Sequence, residues 1–120
     1  MSGPGADAAG RGDPATIAGF QRAIEAAYLA RDRRRWLAGT FVWFTEEVGE
    51  LARAIKKGER ENLREEFGDV LAWLCSLASL AGVDLADAAS VYARGCPACH
   101  ASPCGCPFPT TPVGPFPPHA

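Results

Sequence analysis

With 120 residues and 48% hydrophobic content, the chain can bury one modest core. A net charge of −2 and a pI near 5.6 exclude the broad basic field of a protein that coats a nucleic-acid polymer, and leave free nucleotides open as ligands. The sequence has neither an apolar run near the ~20 residues of a membrane span nor the apolar core of a secretory signal, so a cytoplasmic protein with no membrane partner is expected. Five cysteines without an export signal point to metal binding or free thiols rather than a disulfide framework.

Residues 1–12 are rich in Gly, Ala and Ser and read as a disordered lead. Asp13-Pro14 offers a helix cap followed by proline at the first helical position, and Ile17, Phe20, Ile24, Ala27 and Tyr28 recur at helical spacing, predicting a first helix that ends near Arg31. The run from Arg31 to Arg35 offers guanidinium groups for phosphate, but its composition favours a solvated stretch between helices. A second helix is predicted over about 36–57, with a core-facing stripe of Leu37, Phe41, Phe44, Val48, Leu51 and Ile55. A third, over about 60–81, repeats the pattern with Leu63, Phe67, Val70, Leu74, Leu77 and Ala81, so the two stripes should pack together. Lys56 and Lys57 at the negative end of the helix dipole, then Gly58 as a left-handed cap, end the second helix, and so short a loop makes the pair antiparallel.

Asp84 can cap a short fourth helix, about 84–94, with Leu85, Ala88, Ala89 and Tyr92 on one face. The expected fold is all-α: a small four-helix bundle over 13–95 built on a central antiparallel hairpin. A Cys-rich segment follows over 96–106, then a Pro-rich, disordered tail over 107–120.

Within the hairpin, Glu47 and Glu50 stand three apart on one helix, and Glu66 and Asp69 do so on the other. Glu50 and Glu66 each lie eight residues from Gly58, and Glu47 and Asp69 eleven. An antiparallel pair therefore levels all four carboxylates roughly 12–17 Å from the turn. Singly, such acids are solvated or paired with Arg53, Lys57 and Arg64; together they repel unless a cation holds them. Hard cations such as Mg²⁺, or Mn²⁺, take oxygen ligands alongside substrate phosphates, so phosphoryl chemistry is the natural user. Glu46, turned about 100° from Glu47, suits a place behind the ligands or the role of base. Trp43 and Trp73 each lie fifteen residues from Gly58, level with one another beyond the acids, and are candidates to stack on a nucleobase or to close the bundle end.

The pattern Glu46-Glu47-x-x-Glu50, a spacer, then Glu66-x-x-Asp69 resembles the signature of MazG-like nucleotide pyrophosphohydrolases, the all-α NTP pyrophosphatase superfamily. Glu47-Val48-Gly49-Glu50-Leu51 with Ala54, Gly68-Asp69-Val70-Leu71, and Val83-Asp84-Leu85 extend the resemblance over about 17–95. It implies that Glu47, Glu50, Glu66 and Asp69 bind Mg²⁺, that a nucleoside triphosphate is cleaved between its α and β phosphates, and that the chain forms a homodimer or homotetramer. Many relatives carry a basic residue near the end of the last helix. Here Val91 and Tyr92 precede Arg94, which becomes the substrate-binding candidate at that end.

Cys96, Cys99, Cys104 and Cys106 are four thiols suited to one structural Zn²⁺, although the loop between the two pairs is short. Cys75, inside the third helix, reads as an apolar filler. A reading from a different class is a small helical interaction module whose zinc-bound C-terminal segment is the contact surface.

Overall fold

In the computed structural model, which describes residues 13–107, the chain enters its first helix through Thr16 rather than Asp13. Thr16 Oγ1 accepts the Gly19 N–H at 2.9 Å, the reach of an N-cap, and α1 runs Ile17–Lys57. Asp13 instead makes the turn before it, its carboxylate accepting from Ala15 N–H at 2.9 Å and its carbonyl from Thr16 N–H at 3.2 Å. This turn lies so close to Gly19 that a Cβ there would sit 1.9 Å from the Asp13 carbonyl oxygen.

The break expected near Arg31 falls a few residues later, at Trp36. Arginine is a good helix former and nothing from Arg31 to Arg35 is Gly or Pro, so the charged run extends the first helical stretch up to Trp36. Arg35 bridges back to buried Asp32 and donates to Thr40 Oγ1 at 3.3 Å. The two helices expected from the sequence are thus two helical stretches of α1 that meet at non-helical Trp36 (φ 66°, ψ −179°). That is a left-handed backbone position for a bulky residue, a conformation that costs on the order of 1–3 kcal/mol.

The end of α1 follows expectation: Lys56 and Lys57 fill the last turn, and Gly58 (φ 76°) donates its N–H to the Ala54 carbonyl at 2.9 Å. Helix α2, Arg60–Leu80, then packs against α1 as the second arm of the hairpin. Gln21 ties the start of α1 to the far end of α2. It donates to Ser79 Oγ (3.0 Å) and the Val83 carbonyl (2.9 Å), and accepts from Leu85 N–H (2.9 Å), while Ser79 donates to Glu25 at 2.7 Å.

The fourth helix is shorter than expected. Asp84 Oδ1 accepts Ala86 N–H at 3.0 Å as a cap, but α3 covers only Leu85–Ala89 and passes into a 3₁₀ turn at Ser90–Tyr92. None of its residues is buried, and a helix this short is marginal without packing. The described residues therefore form an all-α chain of three α-helical elements, the first made of two stretches that meet at Trp36. Near Ala88 the chain divides into two compact units, one ending at Ala88 and one starting at Ala89. The expected lead (1–12) and the expected tail, apart from Pro107, lie outside the described residues.

The pattern of burial differs from the predicted stripes. Buried are Thr40 and Ala54 of α1 and Cys75, Ser76 and Ala78 of α2, while Phe44, Leu51, Leu63, Val70 and Leu77 are half-buried. Leu37, Phe41, Val48, Ile55, Phe67 and Leu74 stay exposed, Phe41 at 56% and Phe67 at 57%. The predicted stripes are thus covered at Phe44, Leu51, Leu63, Val70 and Leu77 and open at their other large residues. Among the described residues no single helix is long and apolar enough to cross a membrane.

Candidate functional site

The hairpin register brings Glu47 of α1 to Glu66 and Asp69 of α2, with one oxygen of each within 4.8 Å of the others. Burial pushes the Glu47 carboxyl above its ordinary value, and the nearby Asp69, Glu66 and Glu50 push it the same way. Glu66 Oε2 is buried with no hydrogen-bond partner. A carboxylate oxygen cut off from water without a donor is costly, and a hard cation is the ligand that would satisfy it. This donor set of three acids, one with an orphaned oxygen, fits a divalent cation.

Glu50 departs from the expected quartet. Its Oε1 accepts from Arg53 Nη2 at 2.8 Å, an i,i+3 pair that turns it from the other three, although it remains close enough to act on Glu47. Glu46 is exposed and is not among the converging oxygens.

Trp43 and Trp73 are level, as counted from Gly58, and stack on one another with centroids 6.2 Å apart and planes 12° from parallel. The Arg35 guanidinium carbon lies 4.8 Å from the Trp73 centroid. Trp73, not Trp43, opens onto a cavity of about 210 Å³, lined also by Tyr28, Arg31, Arg35, Asp69 and Ser76. Asp69 thus belongs both to the acid cluster and to the cavity wall. Reading Arg31–Arg35 as solvated linker missed this wall. The signal was there: Tyr28, Arg31 or Asp32, and Arg35 repeat at three and four, one face of a helix once the run is taken as helical.

Arg94 is exposed in the C-terminal unit. Cys96, Cys99, Cys104 and Cys106 gather there with their sulfurs within 4.8 Å of one another. Backbone N–H groups, Gly105's first, hold the Cys99 thiol down to about 6, and backbone donors at Cys99 and Ala98 lower Cys96. The neighbouring thiols, Cys104 first, push Cys106 up to about 11, so the cluster sheds some protons readily and keeps its last. Cys75 is buried in α2, as expected of a filler, and burial raises its thiol.

Residues 38–94 match the model of the MazG nucleotide pyrophosphohydrolase domain, a stretch that contains all five acids of the double motif together with Trp43 and Trp73. The family resemblance carried by that motif is therefore shown. No curated protein matches the chain.

Proposed function

We propose that the MazG nucleotide pyrophosphohydrolase domain at 38–94 makes this protein a Mg²⁺-dependent hydrolase of nucleoside triphosphates, releasing a monophosphate and pyrophosphate. The observation that carries the reading is the meeting of Glu47, Glu66 and Asp69 within 4.8 Å across the hairpin, with one Glu66 oxygen buried and unpartnered. These three would hold the cation, joined by Glu50 once it lets go of Arg53, and Mn²⁺ would serve in place of Mg²⁺. When bound, the cation supplies charge neutralisation at phosphate oxygens and acidifies water.

The protein's own groups do the rest. Water adds at the α phosphorus, the bond from that phosphorus to the α–β bridging oxygen breaks, and pyrophosphate leaves. The proton lost by that water passes to a carboxylate of the cluster or to Glu46 beside it. Arg31, at the cavity wall shared with Asp69, presents a guanidinium to phosphate oxygens, while Trp73 and Tyr28 offer aromatic faces to the base. At about 210 Å³ the cavity falls below the roughly 300–1,000 Å³ of sites that enclose a whole ligand, so it suits the nucleoside end with the phosphates at the open acids.

Two features of the wider reading go with this one. Phe41, Val48, Ile55, Phe67, Leu71 and Leu74 leave an apolar surface that a homodimer or homotetramer would cover. A cytoplasmic setting, where free triphosphates occur, suits the substrate.

The test incubates purified protein with each NTP and dNTP in Mg²⁺ and identifies the phosphate product, alongside Asp69→Asn and Glu50→Gln. Pyrophosphate release by the parent, lost in Asp69→Asn and reduced in Glu50→Gln, is expected. Orthophosphate as the first product, or full activity in both variants, overturns the proposal.

A further inference from the structure

The C-terminal unit poses a physical problem. Over residues 89–107 no side chain is buried, and the segment beyond Tyr92 has no helix, yet its backbone closes tightly on itself. Cys96 N–H donates to the Ala101 carbonyl at 3.0 Å, and His100 N–H donates to the Cys96 carbonyl at 2.7 Å. His100 (φ 59°) reverses the chain, and Gly95 lies where a Cβ would come within 2.7 Å of the Ala101 carbonyl oxygen. A segment this short without a core needs a cross-link to stay folded.

The turns converge on sulfur. Cys96 and Cys106 Sγ are 3.8 Å apart, and Cys99 and Cys104 Sγ are 3.9 Å apart. A disulfide would need about 2.05 Å. An ion bound by four thiolates at about 2.3 Å in a tetrahedron has sulfur–sulfur edges of about 3.8 Å, the separation found in both pairs. Gly105 N–H donates to Cys99 Sγ and Cys106 N–H to Cys104 Sγ, each at 3.3 Å, hydrogen bonds that stabilise thiolate ligands.

We propose that Cys96, Cys99, Cys104 and Cys106 hold one structural Zn²⁺ ion that folds the segment from Gly95 to Cys106. Thiolates select soft or borderline ions, so this site and the carboxylate cluster take different metals. Sulfurs no more than 4.8 Å apart enclose a single ion rather than a multi-iron cluster, and four protein ligands leave no position for substrate. The ion's work is therefore folding and not hydrolysis.

The full chain, purified without added zinc, is analysed for bound metal and for thiols that react with a disulfide reagent under native conditions. The same chain is reloaded with Co²⁺ and its visible spectrum recorded. One zinc per chain, protected thiols at all four positions, and the intense d–d bands of tetrahedral thiolate-bound cobalt are expected. Cys99→Ser should lose the metal and become sensitive to protease between residues 95 and 107 while the helical signal of α1 and α2 stays. Asp69→Asn should keep the zinc, which separates this inference from the hydrolase reading. Less than stoichiometric metal with four freely reacting thiols, a Cys96–Cys106 disulfide, or one iron in place of zinc overturns the proposal.

Discussion

Glu47→Gln removes one charge from the carboxylate cluster at nearly constant volume, so it asks whether the three acids act as one site. In the metal-free chain, oxygens of Glu47, Glu66 and Asp69 lie within 4.8 Å. Two unit charges at that separation repel by about 0.9 kcal/mol at the dielectric of water. A Debye length of about 8 Å at physiological ionic strength roughly halves this, a discount appropriate for partly exposed groups. Glu47 takes part in two such pairs, so the amide should stabilise the metal-free protein by about 1 kcal/mol, or roughly 4 °C in Tm for a domain of this size.

The pH dependence has a definite sign. Because the Glu47 carboxyl is raised above its ordinary 4.5, the folded chain binds that proton more tightly than the unfolded chain. The metal-free parent therefore loses stability as pH rises from about 4.5 through the raised value, and the advantage of the variant opens over that window and closes below it. Added Mg²⁺ reverses the order. At a hundredfold excess over Kd the parent gains about 2.7 kcal/mol, and the variant, one ligand short, gains less. Turnover should fall about 100-fold or more. Thermal melts in EDTA and in Mg²⁺ across pH 4–8, with pyrophosphate release measured in parallel, read all of this. A variant less stable than the parent in EDTA at neutral pH, or one that gains as much from Mg²⁺, would refute the electrostatic account.

Three further outcomes follow from single contacts. Arg35→Met leaves Asp32, 2% exposed, without its cation and should cost about 3 kcal/mol by chemical denaturation, a loss that Asp32→Asn in the same chain recovers in part. Trp73→Leu removes the aromatic wall of the cavity and should raise KM for nucleotide roughly tenfold, while Trp43→Leu, which loses only the 6.2 Å stack, should cost about 1 kcal/mol of stability with little change in KM. Phe41→Ser with Phe67→Ser should shift the mass measured by light scattering toward the monomer without loss of helix; an unchanged mass would remove this face from the subunit contact.

The three meeting carboxylates were legible because the inference needed only a rise per residue and a turn position. Residues equidistant from Gly58 in an antiparallel pair must be level, and Glu47 with Asp69 and Trp43 with Trp73 are. Glu50 obeys the same count and still turns away, because Arg53 three residues on competes for its oxygen and counting does not rank two partners. The kink at Trp36 had no local signal, since nothing about a tryptophan favours a positive φ; surrounding packing sets it. Reading the basic run as a linker then concealed the one wall of the cavity that carries arginine.

The apolar stripes show a different limit of sequence reading. Their periodicity was real: Leu37, Phe41, Val48 and Ile55 do share a face, and so do Phe67 and Leu74, yet these stay exposed while Phe44, Leu51, Leu63, Val70 and Leu77 of the same stripes are half-buried. Periodicity thus identifies a face that gains from burial without specifying what buries it.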